Sequence, residues 1–256
     1  MSGPSTNRFD RCERLLGSAG TRALREASIV VFGLGGVGSF CAEALARSGV
    51  GRLTLVDHDV VAITDVNRQL CALEDNVGSS KVELIAQRLR SISPEGEFVA
   101  VRKFFDRETA DELLAAPVSY VIDAIDSVGP KVELVAQCLR RGLGVVTVVG
   151  SAGRLDPTRV RVGCLAKVCG DPLAQRLRKM LRRQGIEPVV PAVYSEEPRI
   201  GPAAGDWPRM TESLVRGRQR MIQPSMVMVP ATAGMAAASV SIRAILDTMT
   251  RAADHG

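Results

Sequence analysis

Short apolar runs alternate with segments whose apolar positions recur every three or four residues, from residue 28 to about residue 149. The runs at 28–32, 52–56, 97–102, 120–124 and 143–149 predict strands. Those at 28–32 and 120–124 read as strands buried on both faces. The segments at 37–48, 78–91, 106–115 and 130–141 predict helices. Val82, Ile85, Ala86 and Leu89 fall on one face of the second, and Gly49-Val50-Gly51 stops the first. A loop fills roughly 57–76. Strand and helix in strict alternation predict an α/β fold, a doubly wound and mostly parallel sheet.

Outside this stretch the pattern changes. Residues 8–27 predict a helical arm with Leu15, Leu16, Leu24 and Ala27 as apolar contacts, interrupted at Gly17 and Gly20. It has little reason to pack on its own subunit. Residues 151–163 read as a loop and a strand, 171–184 as a very basic helix, and 188–222 as a long irregular crossover rich in Pro, Gly and charge. A final helix covers about 231–250. The longest apolar run, 226–242, contains Pro230, Gly234 and many alanines; it reads as a closely packed buried helix, and no membrane span is expected. One domain is expected over 8–256, with a nucleotide-binding part at 8–150 and a C-terminal part at 151–256.

Composition narrows the partners. The 256-residue chain carries a net charge of +5, and all but five of its 33 basic residues are arginine. Arginine forks onto phosphate and stacks on bases, which suits a nucleic-acid partner. The six cysteines (12, 41, 71, 138, 164, 169) form no Cys-x-x-Cys pair and no disulfide-like framework. The first residues carry no apolar signal core, and a reducing cytoplasm fits best.

The chemistry lies in 29–69. Ile29-Val30-Val31-Phe32 leads into Gly33-x-Gly35-Gly36-x-Gly38, a strand-to-helix turn that offers backbone N–H groups and a positive helix end to a phosphate. Asp57, nineteen residues beyond Gly38 at the end of the next strand, suits ribose hydroxyls. A hydride-transfer enzyme needs a proton relay, yet the only histidines are His58, beside the ribose acid, and His255 at the tail. Nucleotidyl transfer instead needs cations on three phosphates and a carboxylate for magnesium, which Arg68, Lys81 and Asp126 supply. Lys81 opens the helix after the loop. Asp123 and Asp126 end the next strand at the same crevice.

Taken together, Gly33–Ser39, Leu55-Val56-Asp57-His58-Asp59 and Asn67-Arg68-Gln69 resemble the ThiF-like, ubiquitin-activating-type adenylating enzymes. Arg8-Phe9-Asp10-Arg11, Asp123-Ala124-Ile125-Asp126-Ser127, Asp156-Pro157-Thr158, Asp171-Pro172-Leu173 and Val193-Tyr194-Ser195-Glu196 resemble one branch, the tRNA threonylcarbamoyladenosine dehydratases. The likeness covers about residues 8–250. It implies a Rossmann-like sheet of the ThiF type with a C-terminal extension. It also implies ATP and Mg2+ as cofactors, and adenylation of a threonyl carboxylate next to the tRNA anticodon, followed by ring closure.

Carried across, the resemblance places Gly33, Gly35, Gly36 and Gly38 at the nucleotide and Asp57 and Asp59 at the ribose side. Thr64, Asn67, Arg68 and Lys81 fall on the phosphates, and Asp126 with Ser127 on magnesium and ATP, with Asp123 a structural second among the cofactor-binding residues. Arg11 is expected to reach the active site of the partner subunit in a homodimer. Asp65 departs from the family's usual Asn; a carboxylate there repels a triphosphate unless a cation intervenes. Arg176, Arg178, Lys179, Arg182 and Arg183 put five cations within residues 176–183 and, with Arg154, Arg159 and Arg161, suggest a phosphate-tracking RNA surface. Two other readings stay open, an activator of a carrier-protein C-terminus and a non-catalytic nucleotide-binding scaffold. A sulfur-transfer-type protein partner is not excluded. Missing Cys-x-x-Cys pairs weigh against the carrier-protein reading.

Overall fold

Every side chain of Ser28–Phe32 (β1) is buried, because a strand without polar alternates needs apolar cover on both faces. The computed structural model describes residues 7–115, 117–201, 211–213, 219–221 and 223–254. In it β1 lies near the middle of a seven-stranded sheet with Arg52–Val56 (β2), Glu97–Val101 (β3), Tyr120–Asp123 (β4), Val145–Val148 (β5), Val160–Cys164 (β6) and Pro191–Ser195 (β7). The order is β3-β2-β1-β4-β5-β7-β6, all parallel except the β6–β7 pair. Period-two alternation divides the core. Ile29, Val31, Leu53, Leu55 and Ile122 face one helical layer; Val30, Phe32, Val56, Val121 and Val145 face the other.

The first layer holds Asp10–Glu26 (α1), Gly38–Arg47 (α2), Lys81–Ile92 (α3) and Met228–Asp254 (α7); the second holds Ala110–Leu113 (α4), Val128–Arg140 (α5) and Pro172–Arg183 (α6). The stretch Met228–Met249 is long and apolar enough to cross a membrane by length and composition. In the fold its Val229, Ala233, Ala237 and Ala238 are buried, and it lies against α2 and the sheet. A Cβ on Gly234 would stand 2.4 Å from the Val37 carbonyl oxygen, so glycine permits the close approach of α7 to α2.

Four sequence expectations need correction. The crossover at 188–222 contains β7, which inserts between β5 and β6 and is joined to β6 across Val160–Ser195 to Cys164–Pro191. Its five residues open on Pro and carry few apolar positions, a weak local signal. Within the same stretch Thr211–Ser213 (β8) pairs with Gln219–Met221 (β9); residues 202–210 and 214–218 lie outside the described residues. The helix expected at 106–115 is a single turn, α4. Asp106 Oδ1 accepts the Glu108 and Thr109 N–H groups, and Thr109 Oγ1 donates to the Phe104 carbonyl, so side chains take the place of helical bonds. The N-terminal arm packs on its own subunit. Arg8 donates to the Ile92 carbonyl at 2.8 Å, the Phe9 ring lies over Gly49, and Leu24 is fully buried, while Gly17 at φ 72° breaks α1 in two.

Candidate functional site

The register of β1 sets Phe32 opposite Val56 on one side and Asp123 on the other, so Gly33, Asp57 and Ala124 leave the sheet side by side. β1 connects outward to β2 while its other neighbour is β4, which makes this the point where the strand order reverses. Crevices for nucleotides open there, at the carboxyl ends of the strands. Gly33 has φ 84°, and a Cβ on Gly38 would overlap the Gly33 carbonyl oxygen at 1.8 Å, so the turn closes only with glycine at both positions. Gly35 and Gly36 face the 67–69 segment: a Cβ on Gly36 would meet the Arg68 carbonyl oxygen at 3.2 Å. Ser39 ties the two together, donating to the Gly35 carbonyl at 2.7 Å and accepting from the Leu70 N–H at 3.2 Å.

Asp57 stands at the end of β2, nearly buried. One carboxylate oxygen accepts the Leu34 N–H of the glycine turn at 2.6 Å and the other accepts the Asp59 N–H at 2.9 Å. Lys81, at the first position of α3, is 5% exposed. Its ammonium reaches Asp65 Oδ2 at 3.3 Å and Asp59 Oδ2 at 3.5 Å. Burial by itself pushes the Lys81 pKa down. The charges of Asp57, Asp59 and Asp65 together outweigh it, so the pKa is raised and the group stays charged. Asp59 and Asp65 thus hold one buried ammonium at the start of α3, with the charge of Asp57 acting on it as well.

Asp65 turns inward, onto two cations. It is buried, and accepts from the Ala62 N–H at 3.0 Å, from Gln69 Nε2 at 2.6 Å and from Arg68 Nη2 at 3.2 Å as well as pairing with Lys81. Asp65 therefore anchors both Lys81 and Arg68 from the inside of the fold. Arg68 is folded on its own loop, donating to the Thr64 carbonyl at 2.6 Å and to Asn67 Oδ1 at 3.2 Å; Asn67 Nδ2 donates to the Ser225 carbonyl ahead of α7 at 3.0 Å. Sequence reasoning gave no role to Gln69 or Ser39. Gln69 stood inside the Asn-Arg-Gln run, but its place behind Asp65 needed the fold.

On the β4 side the two aspartates part. Asp126 is exposed in the loop that abuts the glycine turn, one residue beyond Ile125, with the Ser127 hydroxyl 3.5 Å from its Oδ1. Asp123 is fully buried. It pairs with Lys131 Nζ at 2.8 Å and accepts from Thr147 Oγ1 at 2.6 Å, so its assignment to the cofactor is corrected: it braces β4, β5 and α5. Burial raises its pKa, although Lys131 and Thr147 act in the opposite direction.

Two more assignments change on the basic side. Arg154 is not on a phosphate-tracking surface; it is buried against Asp171, and Arg161 is paired with Glu196. Arg178 is half-buried and donates to the Leu165 carbonyl at 3.3 Å and to the Val168 carbonyl, holding the preceding turn against α6. Arg176, Lys179, Arg182 and Arg183 are exposed, and the last three border a shallow groove of about 540 Å³. Arg11 is exposed on α1.

Fold and crevice together define a nucleotide-binding enzyme of the adenylating class. The chain matches the ThiF family over residues 9–254 and belongs to it. It is 43% identical over 194 residues to the tRNA threonylcarbamoyladenosine dehydratase of Bacillus subtilis, spanning 76% of each chain. Crystal structures of the E. coli tRNA N6-threonylcarbamoyladenosine dehydratase, TcdA, match it in fold. The complex with ATP superposes with a TM-score of 0.84 at 38% identity, covering 97% of this chain and 96% of that one. The complex with AMP gives 0.86 at 37%, covering 95% and 96%.

Proposed function

We propose that this chain is an ATP-dependent tRNA threonylcarbamoyladenosine dehydratase. The observation that carries the reading is the cluster of Lys81 and Arg68 beside the glycine turn, on a chain that matches, end to end, a dehydratase solved with ATP and with AMP. In the first step an oxygen of the threonyl carboxylate attacks the α-phosphorus, the bond to the β-phosphate oxygen breaks, and pyrophosphate leaves. In the second, the tethered carbamoyl group attacks the acyl carbon, a proton is lost, and AMP leaves. Tethering supplies the high effective concentration, so no protein nucleophile is required.

Within this reading the glycine turn presents its N–H groups to the phosphates, Asp57 and Asp59 take the ribose side, and Arg68 turns outward from the Thr64 carbonyl onto the triphosphate. Lys81, held charged by its acidic neighbours, adds a second cation. Asp126, an exposed hard-oxygen donor beside the turn, fits a magnesium ion, which carries few protein ligands when phosphates supply the rest. Bound there, magnesium would neutralise charge on the triphosphate. Ser127 stands next to it.

The remaining parts follow the same reading. The chain works as a homodimer in which Arg11 reaches the partner's crevice; in the single chain Leu15, one turn along α1, exposes 82% of its surface. Arg176, Lys179, Arg182 and Arg183 take tRNA phosphates. A cytoplasmic location suits the six free cysteines. ATP–pyrophosphate exchange tests the whole: it should depend on tRNA bearing threonylcarbamoyladenosine and not respond to a carrier protein ending in Gly-Gly. Exchange driven by the carrier protein, or none with the tRNA, overturns the reading.

A further inference from the structure

The loop that follows β5 carries a buried ion pair that the chemistry above does not use. Arg154 and Asp171 have side chains 2% and 1% exposed, and Nη2 lies 3.2 Å from Oδ2. Asp171 faces two ways: its other oxygen accepts the Ala174 N–H at 2.8 Å and so caps the basic helix α6. Arg154 also faces two ways, donating from Nε to the Glu197 carbonyl at 2.9 Å. Glu197 answers with Oε2, which accepts the Leu155 and Asp156 N–H groups at 2.9 and 2.8 Å. A Cβ on Gly150 would fall on Asp171 Oδ2 at 1.5 Å, so the chain leaves β5 through a glycine that makes room for the pair.

From this node polar contacts continue to the nucleotide loop. Ile200 N–H donates to the Gly153 carbonyl and Gly153 N–H to the Pro224 carbonyl, each at 2.7 Å, and the neighbouring Ser225 carbonyl receives Asn67 Nδ2. β5 and β7 are parallel neighbours, so residues 150–156 and 196–200 leave the sheet on the edge where the crevice opens. A buried ion pair is a poor source of net stability, because an apolar pair of the same volume does as well. Its distinctive property is geometric: a planar guanidinium with donors in fixed directions sets the angle between the groups it joins.

We infer that Arg154 is a positioning residue that fixes the start of α6, and with it the RNA-facing cations, relative to the nucleotide crevice. The inference rests on the RNA reading of α6. Two variants separate geometry from charge balance. Arg154→Met with Asp171→Asn removes the pair, leaves no unpaired charge and keeps a side chain able to cap α6. Arg154→Lys keeps the pairing with Asp171 but loses the fork. Cyclisation of threonylcarbamoylated tRNA is followed by AMP release, with ATP binding by calorimetry and thermal melting in parallel.

The double variant should melt close to the wild type and bind ATP within about twofold of it. Its kcat/KM for tRNA should fall by roughly tenfold or more, mainly through KM, as expected when cations that hold tRNA phosphates are displaced and their charge-assisted contacts weaken. Arg154→Lys should lie between. A double variant with wild-type kinetics for tRNA overturns the inference, since the pair would then only balance charge. An equal loss of ATP affinity overturns it too. A wild-type chain inert toward the tRNA overturns the functional reading along with it, which distinguishes the two failures.

Discussion

Replacing Lys81 by methionine keeps the buried length of the side chain and removes the ammonium from among Asp57, Asp59 and Asp65. The nitrogen lies 3.3 Å from Asp65 and 3.5 Å from Asp59; at an effective dielectric near 20 the two contacts carry a gross attraction of ~10 kcal/mol. Desolvation offsets most of that. Asp59 is 38% exposed and can rehydrate, whereas Asp65, at 5%, cannot. Asp65 keeps Arg68 at 3.2 Å as a charged partner, so the relevant figure is the lower end of what removing one partner of a buried pair costs, about 3 kcal/mol. In a chain of this size each kcal/mol moves Tm by about 2–4 °C, so the variant should melt roughly 6–12 °C lower. Adding Asp65→Asn should recover much of the loss, and ATP–pyrophosphate exchange should be absent in both. Because folding raises the Lys81 pKa, its contribution is complete below the ordinary value of 10.5 and is lost as pH rises through the higher folded value. The stability gap between wild type and variant should close only in that alkaline window. Melting within about 2 °C of the wild type at pH 8 refutes the structural argument, and normal exchange removes Lys81 from the phosphates.

Gly38→Ala should cost about 1–3 kcal/mol or more and abolish ATP binding, because the new Cβ meets a backbone oxygen that has nowhere to move; unchanged ATP titration contradicts this. Glu43 is buried between Arg47 and Arg88. Burial raises its pKa, the two guanidiniums outweigh burial, and the net shift is downward. Its contribution is thus present above 4.5 and lost as pH falls through the lower folded value; Glu43→Gln should lack that acid-sensitive component, and parallel pH–stability curves would exclude it. Mixing Arg11→Ala chains with Asp126→Ala chains should restore one working site per heterodimer, and a failure to complement, or a monomer by light scattering, argues against the shared site. Arg182→Gln with Arg183→Gln should weaken tRNA binding and reduce the log–log salt slope by roughly 0.7–0.9 per lost phosphate contact, with ATP affinity unchanged; an unaltered slope returns α6 to a solvated face.

The sequence by itself determined the central strands and the place of the crevice. β1 and β2 begin and end where their apolar runs do, because a run with no polar alternate has only the interior of a parallel sheet to occupy. The glycines after β1 and the acid after β2 mark the crevice because a tight turn, and an acid that accepts one of its N–H groups, each constrain residue type locally. Partnership was decided only by the tertiary structure. Asp123 and Asp126 look alike three residues apart, yet one is sealed against Lys131 and Thr147 and the other is exposed. Asp65 read as a liability until Lys81 and Gln69 came to surround it, and Arg154 read as a surface cation until Asp171 met it in the interior. β7 escaped notice for the same reason: its five residues are held by β5 and β6, strands more than twenty residues away. A local pattern records what one residue needs; which donor or strand satisfies that need depends on how the crossovers bring distant segments together.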